Sequence, residues 1–559
     1  MSSLHSNLAQ SAIDAARDGS SSSDTATVIA ELSNDDNRIA VRTKTARDLM
    51  LALAVYRMCT MTWLVNLAPR LISLSEKLRL SAPVYWVVKR TFFHQFCGGE
   101  TADACISTMQ TLHASGIGSI LDLSIEADLD DDRPADTDSS AALTRARHNE
   151  HADRALALTK QCLDTARIQP GSFAAVKVTA LGPPSLLRDL TVLLQSLHDA
   201  FHRADTDGHG HLDHLGFRDI VRSLPGTASV PDADALAATL FGRPGAGTID
   251  LLHFSAALSI DNSEARPLLI SSAGDGLTPD QVEDYEAMMR RLRDLCDYAR
   301  ECGVRLMIDA EQSYFQRAID HVAIRMEEEY NRQGVEGGPV VFTTYQMYLK
   351  ESLSKLKMDV ERAQRGGFVL GAKLVRGAYM VSERKRASDL GLPSPILPDL
   401  AATHASYDAG VELLLQVLGE ARRDDSPLSP VNSPIVFMIA SHNRESVIAA
   451  CSGMEKRGVR PEDGVVMFGQ LLGGQMNRKR WKCRMCDQLS YILGCHGYAI
   501  YKYLPYGEVR EVIPYLIRRA QENSGVLGSV APERRLLWNE LKRRALGSGK
   551  VDEENTKTK

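Results

Sequence analysis

The sequence has no uninterrupted apolar run long enough to cross a membrane. Its most apolar region, residues 49–74, is broken by Arg57, Pro69 and Arg70 before the roughly 20 apolar residues that span a bilayer accumulate. We therefore predict helices that pack on the main domain in this region, with peripheral contact with a membrane surface as the alternative.

Cysteine is sparse and irregularly placed. Ten cysteines in 559 residues, without the regular spacing of a disulfide framework, are typical of reduced, buried thiols, so we expect an intracellular compartment. The close pair of Cys483 and Cys486 has neither a second pair nor a βαβ context beside it. We therefore expect no zinc or redox site there.

A basic surplus and a clear targeting signal are also lacking. The formal net charge is −6, so nucleic acid is not an expected partner. Residues 1–40 are rich in Ser and Asp and carry few cations, which fits neither a secretory signal nor a clear mitochondrial presequence. We predict disorder for residues 1–45 and for the tail, 546–559, and a helical arm over residues 46–115.

Beyond residue 115 the chain repeats one pattern: a short β-branched apolar run, a polar or glycine-containing loop, and a stretch of helical periodicity. Continuous apolar strands that alternate with helices indicate a parallel sheet covered on both faces, and eight such units predict an α/β fold, a (β/α)₈ barrel over residues 116–545. The apolar runs are 118–124, 173–181, 304–313, 340–348, 368–379, 435–443, 465–472 and 498–507.

Polar residues lie in or at the ends of these predicted strands. A charged residue inside an apolar run costs stability unless it is paired or lines a site. In a (β/α)₈ barrel, active sites lie at the carboxyl ends of the strands. We therefore predict a functional site built from Lys177, Asp309, Lys373, Arg376, Ser441, His442, Asn443, Gln470 and Tyr503.

Several longer motifs resemble those of one family. The segments "LMIDAEQSYF", "KLVRGAY", "ASHN", "FGQLL", "YKYLPYG" and "PYLIRRAQENS" are similar, in this order, to those of the proline dehydrogenases in their animal mitochondrial form. The resemblance covers roughly residues 46 to 545. It implies a distorted (β/α)₈ barrel that binds FAD noncovalently at its carboxyl face, and a Gly-x-Gly-x-x-Gly fingerprint, which the sequence lacks, is not required.

The resemblance implies an activity and its partners. The flavin would accept a hydride from C5 of L-proline, yielding Δ1-pyrroline-5-carboxylate, and electrons would pass to a quinone acceptor. The implied location is the matrix side of the mitochondrial inner membrane, with peripheral membrane contact.

Site residues are implied by match to the family's motifs. Adjacent arginines on a helix usually straddle a solvated face, but the resemblance gives Arg518 and Arg519 the substrate carboxylate, and it makes Asp309 and Lys373 the catalytic pair. The implied substrate-binding residues are Lys177, Tyr379, Leu472, Tyr503, Tyr515, Arg518 and Arg519. The implied cofactor-binding residues are Asp309, Ala310, Thr343, Lys373, Val375, Gly377, Ala378, Ser441, His442, Asn443, Gln470 and Glu522.

Hydroxyproline dehydrogenases are close relatives and give the alternative activity. Their residue at the position of Tyr503 is typically a smaller serine, which leaves room for the 4-hydroxyl group. A tyrosine should fill that space and favour unsubstituted proline. The stretch "RRAQEN", however, resembles the hydroxyproline branch equally well.

The barrel carries an insertion, roughly residues 186–262, that looks like an EF-hand module. The loop "DTDGHGHLDHLGF" offers Asp205, Asp207 and Asp213 as metal ligands, but the twelfth position, usually a bidentate glutamate, is Gly216. His209 also replaces the oxygen donor at the fifth position. We therefore expect a scaffold without tight calcium binding.

Two apolar positions of the module are expected to pair, Leu212 with Ile249, in the short sheet that joins such hands. A calcium-linked interaction module on a catalytically weak barrel remains the alternative from a different functional class.

A second departure from the family is the basic segment "GQMNRKRWKCR", residues 474–484. It follows the seventh predicted strand. It should therefore emerge at the active-site face beside Leu472, where a cationic loop could open or distort the substrate pocket.

Overall fold

Eight parallel strands close into a barrel in this computed structural model, which describes residues 25–34, 45–123, 138–242, 247–271, 276–422, 428–473, 486–524 and 530–545. The order around the barrel is β1, β2, β5, β6, β7, β8, β9, β10 and back to β1. The barrel strands are β1 (Ile117–Leu123), β2 (Phe173–Val176), β5 (Arg305–Ile308), β6 (Val341–Gln346), β7 (Leu370–Val375), β8 (Ile435–Ala440), β9 (Val466–Leu471) and β10 (Ala499–Tyr506). The predicted (β/α)₈ barrel is confirmed.

Helices surround the barrel and bury the outer faces of its strands. Their ends follow local signals: α12 begins with a capping box between Thr278 and Gln281 and ends at Gly303, whose φ is 65°. The helices are α1 (Thr25–Ser33), α2 (Ala46–Cys59), α3 (Thr62–Lys77), α4 (Ser81–Val88), α5 (His94–Phe96), α6 (Ile106–His113), α7 (Asp138–Ala166), α8 (Pro184–Ala204), α9 (His214–Ser223), α10 (Ala233–Phe241), α11 (Leu251–Ala257), α12 (Pro279–Cys302), α13 (Ser313–Tyr330), α14 (Ser352–Gly366), α15 (Met380–Asp389), α16 (Leu400–Arg422), α17 (Arg444–Lys456), α18 (Cys486–Cys495), α19 (Val509–Ser524) and α20 (Val530–Ala545).

Aromatic rings fill the amino-terminal half of the barrel interior. Phe173 packs edge-on against both Phe342 and Tyr501, with ring centroids 5.1 Å apart in each pair. These rings come from β2, β6 and β10, which are not neighbours in the sheet, so they meet across the interior. The closed apolar floor leaves the carboxyl ends of the strands as the place where interior polar groups gather.

A helix near the amino terminus corrects one prediction. Residues 25–33 were expected to be disordered, but they form α1, whose Val28 and Leu32 are fully buried against α17 and α18. Glu31 pairs with His496 at 3.1 Å. Burial of two apolar side chains stabilises a helix that composition alone did not predict. The rest of the segment 1–45, apart from Asn34 and Thr45, and the tail 546–559 lie outside the described residues.

The helical arm packs on the last barrel helix. Val55 and Cys59 of α2 and Val65 of α3 share a buried cluster with Val512 and Tyr515 of α19. Within the described part of the chain, no single helix is long and apolar enough to cross a membrane. The helices α2 and α3 would reach that length and composition together, but they are bent by 91° relative to each other.

The insertion has the architecture expected of paired EF-hand loops. Two short strands, β3 (His211–Leu212) and β4 (Ile249–Asp250), run antiparallel, and Leu212 pairs with Ile249 as predicted. The helices α9 and α11 of the module pack on α8, which itself packs on α13 of the barrel wall. Helix α8 therefore connects the module to the barrel.

The loop carboxylates are already engaged within the loop. Asp205 accepts a hydrogen bond from the Gly210 amide at 2.9 Å, Asp213 accepts one from the Gly216 amide at 2.8 Å, and Asp207 lies 3.0 Å from the His209 ring. Among the residues the structure describes, no group of three or more His, Cys, Asp or Glu side chains is placed to hold a metal ion.

We expect calcium to leave the thermal stability of the chain unchanged, because Gly216 provides no bidentate carboxylate and His209 occupies an oxygen-donor position. The double variant His209→Asp/Gly216→Glu should instead gain a calcium-dependent rise in Tm, since a ligand that binds only the folded state stabilises it. Differential scanning fluorimetry with calcium and with a chelator measures both. A calcium-dependent Tm in the unmodified chain would contradict this prediction.

Candidate active site

A buried ion pair lies in the upper barrel interior. The Lys373 ammonium on β7 contacts Asp309, which directly follows β5, at 2.6 Å, and Lys373 is only 5% exposed. The Tyr503 hydroxyl on β10 donates to the other oxygen of Asp309. Strands β5, β7 and β10 are not neighbours, so these three side chains meet across the barrel, where the sequence predicted a site.

The Tyr503 hydroxyl is held in its protonated form. Burial raises its pKa well above the usual range, and the carboxylates of Asp122 and Asp309 raise it further because they repel a phenolate. Tyr503 therefore serves as a hydrogen-bond donor to Asp309 at all ordinary pH values. Asp122, on β1, is a buried interior carboxylate that the sequence analysis did not single out.

Two further polar residues lie at the carboxyl ends of the strands, and the sequence patterns did not indicate either of them. The Glu311 carboxylate accepts hydrogen bonds from the Thr179 amide at 3.2 Å and the Thr179 hydroxyl at 2.7 Å. The Gln346 amide donates to the Glu311 carbonyl at 2.7 Å. Burial raises the pKa of Glu311 to about 7 although Thr179 and Lys177 lower it. The alternation of β6 could have indicated Gln346, because it shares the interior face with Phe342.

A second buried cation supports the loop after β8. Arg376 donates to the Ser441 hydroxyl at 2.6 Å and to the Ser446 hydroxyl at 2.9 Å. The Asn443 side chain accepts from two amides at the start of α17, and the His442 ring accepts from the Leu471 amide at 3.1 Å. The predicted cofactor residues Ser441, His442 and Asn443 therefore form one rigid loop at the carboxyl end of the barrel.

Two predicted cofactor residues point away from the barrel interior. Thr343 donates to Glu327 of α13, and Gln470 accepts from Ser490 of α18 at 2.6 Å. The reason is the two-residue alternation of strands: Phe342 faces the interior, so Thr343 faces the helix layer. Both side chains therefore face the helix layer, and their assignment to the cofactor stays a prediction. The Glu522 side chain lies outside the described residues.

The helix α19 brings the two arginines to the barrel mouth. The Arg518 guanidinium lies 5.9 Å from the ring centroid of Tyr379, and that of Arg519 lies 5.3 Å from the ring centroid of Tyr515. Tyr515 is close enough to Tyr503 to contribute to its raised pKa. Arg519 is buried. Through Tyr515, α19 therefore lies beside Tyr503, whose hydroxyl donates to Asp309.

The remaining predicted residues surround the same opening. Lys177 follows β2 and lies close enough to Glu311 to lower its pKa. The Leu472 amide donates to the Tyr503 carbonyl at 3.1 Å, which places Leu472 beside Tyr503. Ala310 and Val375 are half-buried at the ends of β5 and β7.

An exposed glycine loop follows β7. Gly377 has a φ of 135°, and a Cβ atom there would lie 2.3 Å from the Tyr348 ring. No other residue fits this position. The backbone of Gly377 and Ala378 is exposed, and the Tyr348 ring occupies the space that a side chain at position 377 would take.

Similarity to known proteins agrees with this geometry. The family described as "Proline dehydrogenase" matches residues 105–531. The chain belongs to the proline dehydrogenase family. Human "Proline dehydrogenase 1, mitochondrial" is 32% identical over 557 residues, which cover 90% of this chain and 88% of that protein. The Drosophila melanogaster protein of the same name is 30% identical, over 92% of this chain and 81% of its own length.

A second branch of relatives is equally similar. Bos taurus "Hydroxyproline dehydrogenase" is 32% identical over 513 residues, which cover 91% of this chain and 93% of that protein. Overall identity therefore does not separate the two activities within the proline dehydrogenase family.

The barrel is also similar to a solved structure, proline utilization A from Bdellovibrio bacteriovorus inactivated by N-propargylglycine. The TM-score is 0.54 at 16% identity, over 89% of this chain and 41% of that one. This likeness supports the shared fold. The chain spans about two fifths of the length of that protein.

We expect Glu311→Gln to raise Tm relative to the unmodified chain at pH 8 and to have a smaller effect at pH 5. The pKa of Glu311 is raised from 4.5 to about 7 in the folded state, so its contribution to stability decreases as pH rises through that window. Scanning fluorimetry across pH 5–8 measures the difference. A difference that is the same at both ends of this range would contradict the assignment.

Proposed function

We propose that this chain oxidises L-proline to Δ1-pyrroline-5-carboxylate at the carboxyl face of its barrel. The observation that carries the proposal is that α19, which bears Arg518 and Arg519, lies beside Tyr503, the hydrogen-bond donor to Asp309 of the buried pair. This arrangement would supply cations for a carboxylate next to a buried polar group. Membership of the proline dehydrogenase family supports the same conclusion.

The arginines would hold the substrate carboxylate. A guanidinium binds a carboxylate through two parallel, charge-assisted hydrogen bonds, which fix orientation as well as charge. Arg519 is buried, so it binds where water competes least. Lys177 adds a third cation to the same opening. An anchored carboxylate leaves the far side of the five-membered ring, with C5, directed into the barrel.

Aromatic and apolar side chains would enclose the ring. Tyr503 and Tyr515 lie on either side of the strand-to-helix connection after β10, and Leu472 lies beside Tyr503. The hydrogen bond from Tyr503 to Asp309 fixes the phenol ring. A fixed wall excludes water and limits the positions that C5 can adopt, which is what a transfer at short range requires.

The cofactor that fits the donors at this end of the barrel is FAD, bound noncovalently. When bound, it supplies the acceptor for the hydride that leaves C5. The residues that would hold it are Lys373, the exposed backbone of Gly377 and Ala378, and the loop 441–443. Lys373 presents a fixed, buried cation, and the backbone of Gly377 and Ala378 is exposed beside the Tyr348 ring.

The proposal also covers the final electron acceptor and the location of the protein in the cell. We infer a quinone as the final acceptor and the matrix side of the mitochondrial inner membrane as the location. The names of the human and fly relatives, both mitochondrial, support the compartment. The segment 474–484, which was expected beside Leu472, lies outside the described residues.

The visible spectrum of the purified protein tests this proposal. Flavin bands that bleach on anaerobic addition of L-proline are the expected result. A colourless protein that neither binds FAD nor responds to L-proline or trans-4-hydroxy-L-proline would overturn it.

Arg519→Met should reduce kcat/KM for proline by about 100-fold or more, because the loss of two charge-assisted hydrogen bonds removes the substrate anchor. Arg518→Met should act in the same direction. The matched control is Arg510→Met, which removes an exposed arginine from the first turns of the same helix. Steady-state assays with a soluble dye acceptor measure all three. Equal losses in the control would point to helix stability instead of substrate binding.

Hydroxyproline is the second candidate substrate, since the bovine hydroxyproline dehydrogenase is as similar as the proline enzymes. Tyr503→Ser should raise the ratio of kcat/KM for trans-4-hydroxy-L-proline to that for L-proline by about 10-fold, because it opens space beside the ring. Tyr503→Phe, which keeps the ring, is the control. If the unmodified chain already prefers hydroxyproline, Tyr503 does not determine the specificity.

A further inference from the structure

Helix α3 exposes a row of large apolar side chains along one side. Trp63, Leu67, Leu71, Leu74 and Leu78, here called the α3 stripe, are 65%, 37%, 44%, 51% and 59% exposed. At 100° per residue these five positions fall within an arc of about 80°. A contiguous apolar surface of this kind on a folded chain marks a site of interaction.

The stripe is held in place by packing on its other side. Val65 and Ser75 of α3 are buried, and Val65 belongs to the cluster that includes Val512 and Tyr515 of α19. The helix is therefore docked on the protein through one face while it presents the stripe through another. The next helix, α4, continues the exposed surface with Trp86, which is 59% exposed.

Cations accompany the apolar surface. Residues 62–94 contain five Lys or Arg and a single carboxylate, Glu76, in a chain whose net charge is −6. By helix geometry, Arg70 and Lys77 flank the stripe within about 40° of Trp63, and both are exposed. Long cationic side chains beside an apolar face, with tryptophan at its end, are the composition of helices that lie in the plane of an anionic lipid surface.

We propose that the α3 stripe is the surface by which this chain docks on an anionic lipid bilayer, with α3 lying in the headgroup region. Charge complementarity selects this occupant, because a second copy of the chain would present the same cations and repel them. The docking is peripheral: the stripe is one side of a helix whose opposite side is covered by protein.

Docking through α3 also orients the active site. The arginine helix α19 packs directly against α3, so the substrate opening and the lipid surface lie on neighbouring faces of the same two helices. This consequence rests on the proposed function. A lipid-soluble acceptor could then collect electrons without leaving the bilayer. The binding itself does not depend on the activity.

Vesicle cosedimentation of the full chain tests the proposal. The probes are vesicles of phosphatidylcholine alone and of phosphatidylcholine mixed with phosphatidylglycerol. We expect the unmodified chain to pellet with the anionic vesicles, and Leu71→Glu/Leu74→Glu to weaken this binding by about 10-fold or more. The matched control is Val192→Glu/Leu215→Glu, which replaces two equally exposed apolar side chains on α8 and α9.

The charge contribution is tested separately. Arg70→Gln/Lys77→Gln should reduce the preference for anionic vesicles and its salt dependence, while binding to phosphatidylcholine alone changes little. Trp63 fluorescence should be quenched by brominated lipids in a variant that lacks Trp86 and the tryptophans at positions 481 and 538.

Three results would overturn the proposal. Equal vesicle binding by Leu71→Glu/Leu74→Glu and the unmodified chain would exclude the stripe. Equal loss in the control pair would show that any added carboxylates suffice. A dimer in sedimentation velocity that disappears in Leu71→Glu/Leu74→Glu, without vesicle binding, would assign the stripe to self-association. Proline oxidation with a soluble dye, expected to be unchanged in this variant, separates failure of docking from failure of the proposed activity.

Discussion

The contact between Lys373 and Asp309 is the interaction on which the upper half of the barrel depends. Removal of two charges from water is costly unless each is well paired. Here a single carboxylate is shared between the Lys373 ammonium and the Tyr503 hydroxyl. The three side chains come from strands that do not touch each other in the sheet. The buried polar group of each side chain finds its partner only if the barrel is closed in the correct register.

Around this pair, further buried polar groups are joined across strands. Glu311 connects the end of β5 to Thr179 after β2, and Gln346 connects it to β6. Arg376 connects the end of β7 to Ser441 after β8. Buried polar networks of this kind specify one arrangement because each unpaired member would be penalised. The aromatic rings below fill the barrel interior, and the polar layer above is fully paired only when the strand ends are in place.

The arm and the last barrel helix give the site its outer boundary. Helix α19 packs against α2 and α3, so the residues that support the arm and the arginines Arg518 and Arg519 belong to one element. Tyr515 illustrates this, since it belongs to the arm cluster, lies beside Arg519 and influences Tyr503. The packing of the arm and the position of Arg519 are thereby linked through a single helix.

The order of apolar runs and charged residues along the chain was enough to predict the barrel and the Lys373 and Asp309 cluster. Continuous apolar runs separated by helical periodicity predicted each barrel strand, because burial on both faces requires apolar residues throughout. Charged residues in those runs, such as Lys373 and Asp309, indicated the site because an unpaired charge there is costly. The pairing of Leu212 with Ile249 also followed from the resemblance of the two loops to paired EF-hands.

Which strand residues face the barrel interior could be seen only in the folded chain. Thr343 and Gln470 belong to the helix layer, whereas Gln346 and Glu311 belong to the site. A fully buried strand is apolar on both sides, so its sequence carries little information about which face is which. The burial of α1 could not be predicted from its local sequence either, because its stability comes from contacts with α17 and α18, which are far away in the chain. The local sequence pattern determines which segments form strands and helices. Which side of a strand faces the interior depends on contacts that form only when the barrel closes.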